Sequence, residues 1–378
     1  MMASMAAKRA ISGFFIGWDY GTIRLNPSIL ITRPVSLFSQ FASGLARPLD
    51  RFRLGLLRRS GLLGRRLVRR RDQRVLAGGI LLVGISLGLT LAVPFWLLAL
   101  SPLVWGIPHV MSDFRYLVLR PGLHRRIGLC LGAGLPLVAA GSGFFPVQSG
   151  LVAAAAAALL ARGRWSRKLA VLAVCCFLFR ASWNAGALAG LVFAHVHNFL
   201  ALILWWWWRP RTQGWLSVLF PFGFVMAAAG LWFGWLAPLS EVADWIPDGL
   251  GLDYHLGILA PGLESPWGLR LVLLFAFAQA VHYGIWLRLI PEDDRPQPSP
   301  RTFAASFRAL EKDFGPRLLW FSLLLMTGLA IWAMVDLLEA RVSYLRMALF
   351  HGYLELAAVA LLVVEGRPYL PVGEGVQG

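Results

Sequence analysis

The chain has 378 residues, of which 58% are hydrophobic, and a formal net charge of +17. Soluble domains contain about 45–50% apolar residues. Long uncharged runs recur here from residue 76 onward, so the composition excludes an ordinary soluble protein and predicts a polytopic helical membrane protein. The charge would suggest nucleic acid in a soluble protein, but no recognisable binding module accompanies it. The basic residues instead lie in short loops and an N-terminal arm, where they set topology and contact anionic lipids.

Residues 1–75 form the first predicted unit, a basic cytoplasmic arm with no segment long enough to span a bilayer. Eleven arginines stand between Arg47 and Arg74. Apolar residues recur among and before them, as in an amphipathic helix that lies on the membrane surface: Phe38, Phe41, Leu45, Leu49, Phe52 and Leu56. A disordered basic tail that only fixes orientation is the alternative.

The second unit, residues 76–364, is predicted to be an all-α transmembrane helix bundle. Its ten predicted spans are 76–100, 102–119, 127–146, 149–161, 168–183, 186–208, 216–237, 267–290, 317–338 and 344–364. Polar segments interrupt or follow them: an outer loop at 238–266, an inner loop at 291–316 and a C-terminal tail at 365–378.

Charge orients these spans, with both termini predicted in the cytoplasm of a bacterial-type inner (plasma) membrane. The predicted inner loops are rich in arginine, whereas residues 238–266 carry five acidic residues and no Lys or Arg. The tryptophan run Trp205–Trp208 falls where the sixth span meets the cytoplasmic interface. An aromatic belt explains it without any function.

Ionisable residues inside the spans are the strongest functional signal, because each costs a few kcal/mol at bilayer depth. Four spans carry a histidine with a polar companion three or four residues away, on the same helix face. The pairs are His109 with Asp113, His195 with Asn198, His282 with Gln279, and His351 with Glu355. His197 lies about 200° around the helix from His195, so only one of the two is expected at a shared site. Asn198 favours His195, and the choice stays open.

The depth of each histidine follows from a rise of 1.5 Å per residue, since all four helices are predicted to run from outside to inside. His109 and His351 fall about 10 Å below the outer ends of their spans, and His195 about 14 Å. His282 falls near 22 Å and is the discordant member.

Histidines that converge from separate helices predict one metal ion inside the bundle. Neutral imidazoles bind Fe(II), Zn(II) or Cu well. The predicted metal ligands are His109, His195, His282 and His351. Asp113 and Glu355 are predicted to act outside the ligand set, where they would accept the second ring N–H and orient the imidazoles. Such a set leaves one or two positions on iron for O2 or substrate.

The segment Gly106-Ile-Pro-His109-Val-Met-Ser-Asp113 resembles the first signature of the Brp/Blh-type β-carotene 15,15′-dioxygenases, polytopic membrane proteins that split β-carotene into retinal. Later motifs follow in the same order: His195 or His197, Phe275–Trp286 with His282, and Phe350-His351 with Glu355. The resemblance implies His109, His195 and His282 as iron ligands. The chain departs from the family at Val110, where glycine is usual, and at Trp286, where a second histidine is usual; there His351 would compensate.

These patterns together predict an integral membrane metalloprotein, an Fe(II)-dependent oxygenase that cleaves or oxidises a carotenoid-like apolar substrate. The expected partners are the lipid bilayer, anionic lipids at the N-terminal arm, the apolar substrate and O2, with no nucleic acid. The rival hypothesis is a transporter or proton conduit in which Asp113, His282, Glu355 and Asp336 form a relay. A polar set that only pins helices together is a third.

Overall fold

A computed structural model describes residues 36–208, 218–236, 249–294 and 299–366, where all regular secondary structure is helical. The helices of the first half are α1 Leu37–Arg59, α2 Gly61–Arg69, α3 Arg71–Ala92, α4 Pro94–Phe114, α5 Ile127–Gly141, α6 Pro146–Leu160 and α7 Trp165–Ala185. Those of the second half are α8 Ala187–Trp208, α9 Leu219–Trp232, α10 Leu252–Leu259, α11 Trp267–Gly284, α12 Phe303–Phe314, α13 Pro316–Val335, α14 Leu337–Met347 and α15 Phe350–Glu365. The first part of the predicted arm, much of the acidic outer loop and most of the predicted tail lie outside the described residues.

Among the described residues, seven helical segments are long and apolar enough to cross a membrane. They are Arg71–Ala92, Pro94–Leu119, Trp165–Ala185, Ala187–Trp207, Trp267–Asp293, Pro316–Val335 and Leu337–Glu365. The shorter apolar helices α5, α6 and α9 fall at the three other predicted spans. The all-helical class and the membrane-length helices are confirmed, whereas the number of crossings and the side of the termini stay predictions.

Pro94 marks the boundary between the first two long helices. The hydropathy pattern predicts that boundary at residues 100–102, and this prediction is wrong, because α3 ends at Ala92 and α4 begins at Pro94. The residue before a proline is pushed out of the helical region. Proline itself suits the first position of a helix, where its missing N–H needs no partner.

Small residues let three helices of the bundle approach closely. Helix α6 packs against α5 and α15. Small side chains dominate its buried face and recur on the facing part of α15: Ala153, Ala154, Ala157 and Ala158 against Ala357 and Ala360. Close backbone approach through small residues is the usual packing mode of membrane helices.

Helix α1 is amphipathic and packs against α12, which lies in the predicted inner loop, and against α13. Phe38 packs edge-on against Trp320 with ring centroids 5.4 Å apart, and the Asp50 carboxylate accepts a hydrogen bond from the Phe303 N–H at 2.7 Å. An apolar stripe remains exposed: Phe41, Leu45, Leu49, Phe52 and Leu56. The residues from Leu37 to Arg59 are therefore helical, and contact of the stripe with lipid stays a prediction.

Helix α11 lies at the centre of the bundle and positions the site. It packs against α3, α4, α8 and α9. Phe277 and Val281 on this helix have no exposed surface, and neither does Trp286 in the turn that follows it. A helix that is apolar all round is typical of such a central position.

Candidate functional site

Four imidazole rings from four helices meet in the interior: His109 of α4, His197 of α8, His282 of α11 and His351 of α15. The ring centroid of His109 lies 4.8 Å from that of His282 and 4.7 Å from that of His351. The His197 centroid lies 5.3 Å from that of His282 and 5.4 Å from that of His351. The four rings therefore form one cluster.

Two carboxylates lie next to imidazole nitrogens of the cluster. Nε2 of His109 lies 2.9 Å from Nε2 of His282. Asp113 Oδ2 lies 3.2 Å from His109 Nε2, and Glu355 Oε1 lies 3.4 Å from His282 Nε2. Asp113 and Glu355 thus stand beside the ring nitrogens that face the centre, rather than behind the rings as the sequence analysis expects.

The histidines of α4 and α11 lie at the same level in the bundle. His109 is fifteen residues after Pro94, and His282 is fifteen residues after Trp267, counted from the helix starts. The expected difference of depth is wrong because it rests on a second span that begins at residue 102. With the true start at Pro94, the two rings meet.

Backbone carbonyls fix the orientation of two rings. The Nδ1–H of His197 donates to the Ala194 carbonyl at 2.9 Å, and the Nδ1–H of His351 donates to the Ala348 carbonyl. A carbonyl only accepts, so Nδ1 carries the proton in both rings and Nε2 keeps the lone pair. The break between α14 and α15 supplies the Ala348 carbonyl.

Both carboxylates are fully buried. Glu355 Oε1 accepts a hydrogen bond from the Trp286 indole N–H at 2.7 Å. Both oxygens of Asp113, Oε2 of Glu355 and Nε2 of His351 are buried and form no hydrogen bond with the described part of the chain. Within that part, neither carboxylate is paired with a lysine or arginine. Buried polar atoms without a partner are rare and need an explanation.

Two glycines allow the close packing of this region. A Cβ on Gly106 would overlap the ring of Tyr344, which explains the glycine three residues before His109. A Cβ on Gly352 would lie 3.1 Å from the Phe193 ring and 3.3 Å from the His197 ring. The glycines therefore let α4 approach α14, and α15 approach α8, beside the histidines.

A π-helical turn follows each of the two helices that carry the fully buried histidines His109 and His282. Arg115–Leu119 continues α4 and Ile285–Leu289 continues α11. Ser112 Oγ–H donates to the Trp286 carbonyl in the second turn at 2.6 Å, which ties the two helices together next to the cluster. π-Turns within helices occur frequently at functional sites.

The structure brings together five of the six residues that the sequence singles out: His109, His282, His351, Asp113 and Glu355. The sixth, His195, lies apart. Its Nε2 is 2.9 Å from the Leu259 carbonyl, and its ring packs edge-on against Phe275. His197 occupies the place at the cluster that we expect for His195.

The polar companions of His195 and His282 do not contact their histidines, because each forms its hydrogen bond within its own helix. The Asn198 side chain donates to the Ala194 carbonyl at 3.2 Å and so gives no support to His195. The Gln279 side chain donates to the Tyr283 hydroxyl at 3.4 Å instead of the His282 ring. Only the two acidic companions, Asp113 and Glu355, reach the histidines.

Three aromatic residues at the site are missed by the sequence analysis as functional neighbours. Trp286 holds Glu355, and its spacing of four from His282 is the one available signal. The Tyr283 ring lies 4.8 Å from the His109 ring. Tyr344 contacts Gly106 from a helix more than two hundred residues later, which no local pattern indicates.

The chain is an all-helical protein whose apolar helices mark it as membrane-embedded, with a buried cluster of histidines and carboxylates. No family model, curated protein or solved structure matches it.

Proposed function

We propose that the cluster holds a single metal ion and that the protein is a metal-dependent membrane enzyme. The observation that carries the proposal is the pair of buried carboxylates, Asp113 and Glu355, beside imidazole nitrogens and without a basic partner among the described residues. A buried charge requires a counter-charge or a metal, because an unpaired carboxylate is costly to desolvate. A divalent cation would neutralise both groups at once.

The donor set fits such an ion. The ligand atoms of His109, His282 and His351 lie within 4.8 Å of one another, and so do those of His109, Asp113 and Glu355. Two ligands each about 2.1 Å from one ion stand about 3.0–3.4 Å apart at octahedral or tetrahedral angles. The observed separations of 2.9, 3.2 and 3.4 Å are of this size.

Iron is the metal we propose, because imidazoles combined with a carboxylate are the donor set of non-haem Fe(II) oxygenases. Fe(II), when bound, would supply the binding and activation of O2. His109, His282, His351 and the Glu355 carboxylate would hold it, and His197 is the proposed further ligand in place of His195.

The surrounding residues would do the rest of the work. Trp286 holds Glu355 in place through its indole N–H. The Ala194 and Ala348 carbonyls hold the His197 and His351 rings with Nε2 available. Asp113, whose oxygens form no hydrogen bond with described residues, would accept or deliver a proton beside His109.

We propose an apolar, carotenoid-like substrate that enters from the lipid. His109 and His282 are fully buried, but His197 and His351 are only half-buried, so the cluster is most accessible on the side of α8 and α15. Helix α8 exposes apolar side chains: Leu188, Val192 and Val196. The resemblance to carotene-cleaving enzymes supports this substrate class, and the tryptophan at position 286 departs from it.

Elemental analysis of the purified full chain tests the metal. We expect about one iron per chain in the wild type and loss of metal in His109→Ala and His197→Ala. His195→Ala is the matched control, on the same helix two residues away, and it should keep its metal. Equal metal content in all of these proteins would refute a shared site.

Expression in carotene-accumulating bacteria tests the reaction. Cleavage predicts loss of pigment and appearance of retinal with the wild type but not with His109→Ala. Unchanged pigment alongside inserted, metallated wild-type protein would remove carotene cleavage while leaving the metal centre standing.

A proton conduit is the second candidate, favoured by the continuous row Asp113–His109–His282–Glu355. Successive members are 3.2, 2.9 and 3.4 Å apart, close enough for proton relay. The remaining member of the hypothesised relay, Asp336, is exposed and caps α14 by accepting the Glu339 N–H at 2.9 Å. Flux driven by a pH gradient in liposomes, with metal-free protein, would favour the conduit.

A further inference from the structure

A cavity with no histidine in its lining opens at the arginine-rich end of the bundle. Its volume is about 550 Å³. It lies between the π-turn after α4, the turn at Pro121–Leu123 and the last turns of α15. We propose that this cavity binds one anionic phospholipid, with the headgroup at the arginines and an acyl chain on the apolar floor.

The mouth of the cavity is cationic. Arg125, Arg126 and Arg162 line it together with one carboxylate, Glu365, which leaves a formal excess of positive charge. Arg125 and Arg162 are exposed. Their guanidinium groups form no hydrogen bond or ion pair with the residues that the structure describes, so they are available to an anion.

The remaining charged pair builds the wall of the site. Arg126 Nη1 donates to Glu365 Oε1 at 2.8 Å, and its Nη2 donates to the Leu160 carbonyl at 2.8 Å. Glu365 Oε1 also accepts the backbone N–H of Arg162. The single carboxylate is therefore committed to holding α15 against the loop after α6, and it does not neutralise the two free arginines.

The floor of the cavity is apolar. Leu117, Ala358, Leu361 and Leu362 line it. Leu117 is one helical turn beyond Asp113, and Ala358 is nearly one turn beyond Glu355, so the floor runs from the arginines towards the bundle interior. An ion alone would leave this surface uncovered, whereas an acyl chain would bury it.

The position of the cavity favours a bilayer lipid over a soluble anion. These arginines belong to the loops that the charge distribution predicts at the cytoplasmic face, where the leaflet is anionic. Basic pockets between transmembrane helices on that face bind lipid headgroups. The proposal does not depend on a metal in the histidine cluster.

Native mass spectrometry of the full chain in neutral detergent tests the site. The probes are phosphatidylglycerol and phosphatidylcholine with the same acyl chains, with inorganic phosphate as competitor. We expect the wild type to prefer phosphatidylglycerol and phosphate to compete poorly. The double variant Arg125→Gln/Arg162→Gln should bind phosphatidylglycerol about thirtyfold more weakly. Each arginine contributes about 1 kcal/mol to binding of anionic lipid, and each 1.4 kcal/mol is about tenfold in affinity.

The matched control is Arg164→Gln/Arg167→Gln, which removes the same charge from two exposed arginines that do not line the cavity. This control should change the affinity for phosphatidylglycerol by less than about threefold, because salt screens exposed charges that do not contact the lipid. Leu362→Trp fills the floor without altering charge, and should also weaken lipid binding if an acyl chain lies there. Equal losses in the two double variants, equal binding of both lipids, or efficient competition by phosphate would each overturn the proposal.

Discussion

Replacement of Trp286 by phenylalanine tests whether Glu355 is held in place for a bound metal. The change removes the indole N–H that donates to Glu355 Oε1 at 2.7 Å, between two side chains with no exposed surface. A hydrogen bond to a charged group contributes about 1.5–3 kcal/mol. Loss of a group that orients a metal ligand weakens metal binding by about tenfold to a hundredfold.

Trp205→Phe is the control. Trp205 is buried in the same hydrophobic core as Trp286, and the substitution removes the same side-chain volume. Trp205 packs on Phe220, with ring centroids 4.9 Å apart. Both variants should lower the thermal unfolding temperature, since each leaves a void. Only Trp286→Phe should release iron at a lower concentration of competing chelator. Equal iron retention by the two variants would refute the role of Glu355 in metal binding.

Three further predictions concern the packing, a buried histidine and the metal. Gly106→Ala should destabilise the protein by about 1–3 kcal/mol, because the new methyl overlaps Tyr344, and Gly106→Ala/Tyr344→Leu should recover part of the loss in thermal unfolding. Burial lowers the pKa of His255 from 6.5 to about 3; its neutral ring stabilises the fold fully above about pH 6.5, so stability should fall as pH drops towards 3, and less steeply in His255→Phe. Chelation should lower the unfolding temperature of the wild type, by the equivalent of about 2.7 kcal/mol at a hundredfold excess of ion over Kd, and leave His109→Ala unchanged.

Much of the fold follows from composition and periodicity. Runs of uncharged apolar residues predict where long helices lie, since a bilayer permits little else. The boundary at Pro94 was present in the sequence as an X-Pro step. It is obscured because apolar residues continue on both sides of it, and hydropathy alone does not separate one long run into two helices.

Part of the candidate site could be predicted from the sequence. His109 with Asp113 and His351 with Glu355 are pairs of ionisable residues. Such residues are costly inside a membrane, so they indicate a functional site. Which of His195 and His197 reaches the cluster depends on the rotation of α8 about its own axis. Two contacts set that rotation: the Phe193 ring stacks on the Tyr353 ring with centroids 4.3 Å apart, and the His197 ring packs beside Gly352. These partners lie far along the chain, so no local pattern contains the answer.

The hydrogen-bond capacity of the cluster favours a cation over protons alone. His109 Nε2 and His282 Nε2 face each other at 2.9 Å, so one of them must carry a proton if no ion lies between them. The other nitrogen has a single lone pair, which that N–H occupies, and a protonated Asp113 or Glu355 beside it then finds no acceptor there. His351 Nε2 would still lack a donor within the described structure. One divalent ion would accept these lone pairs and balance both carboxylates, which is why we propose a metal for this cluster.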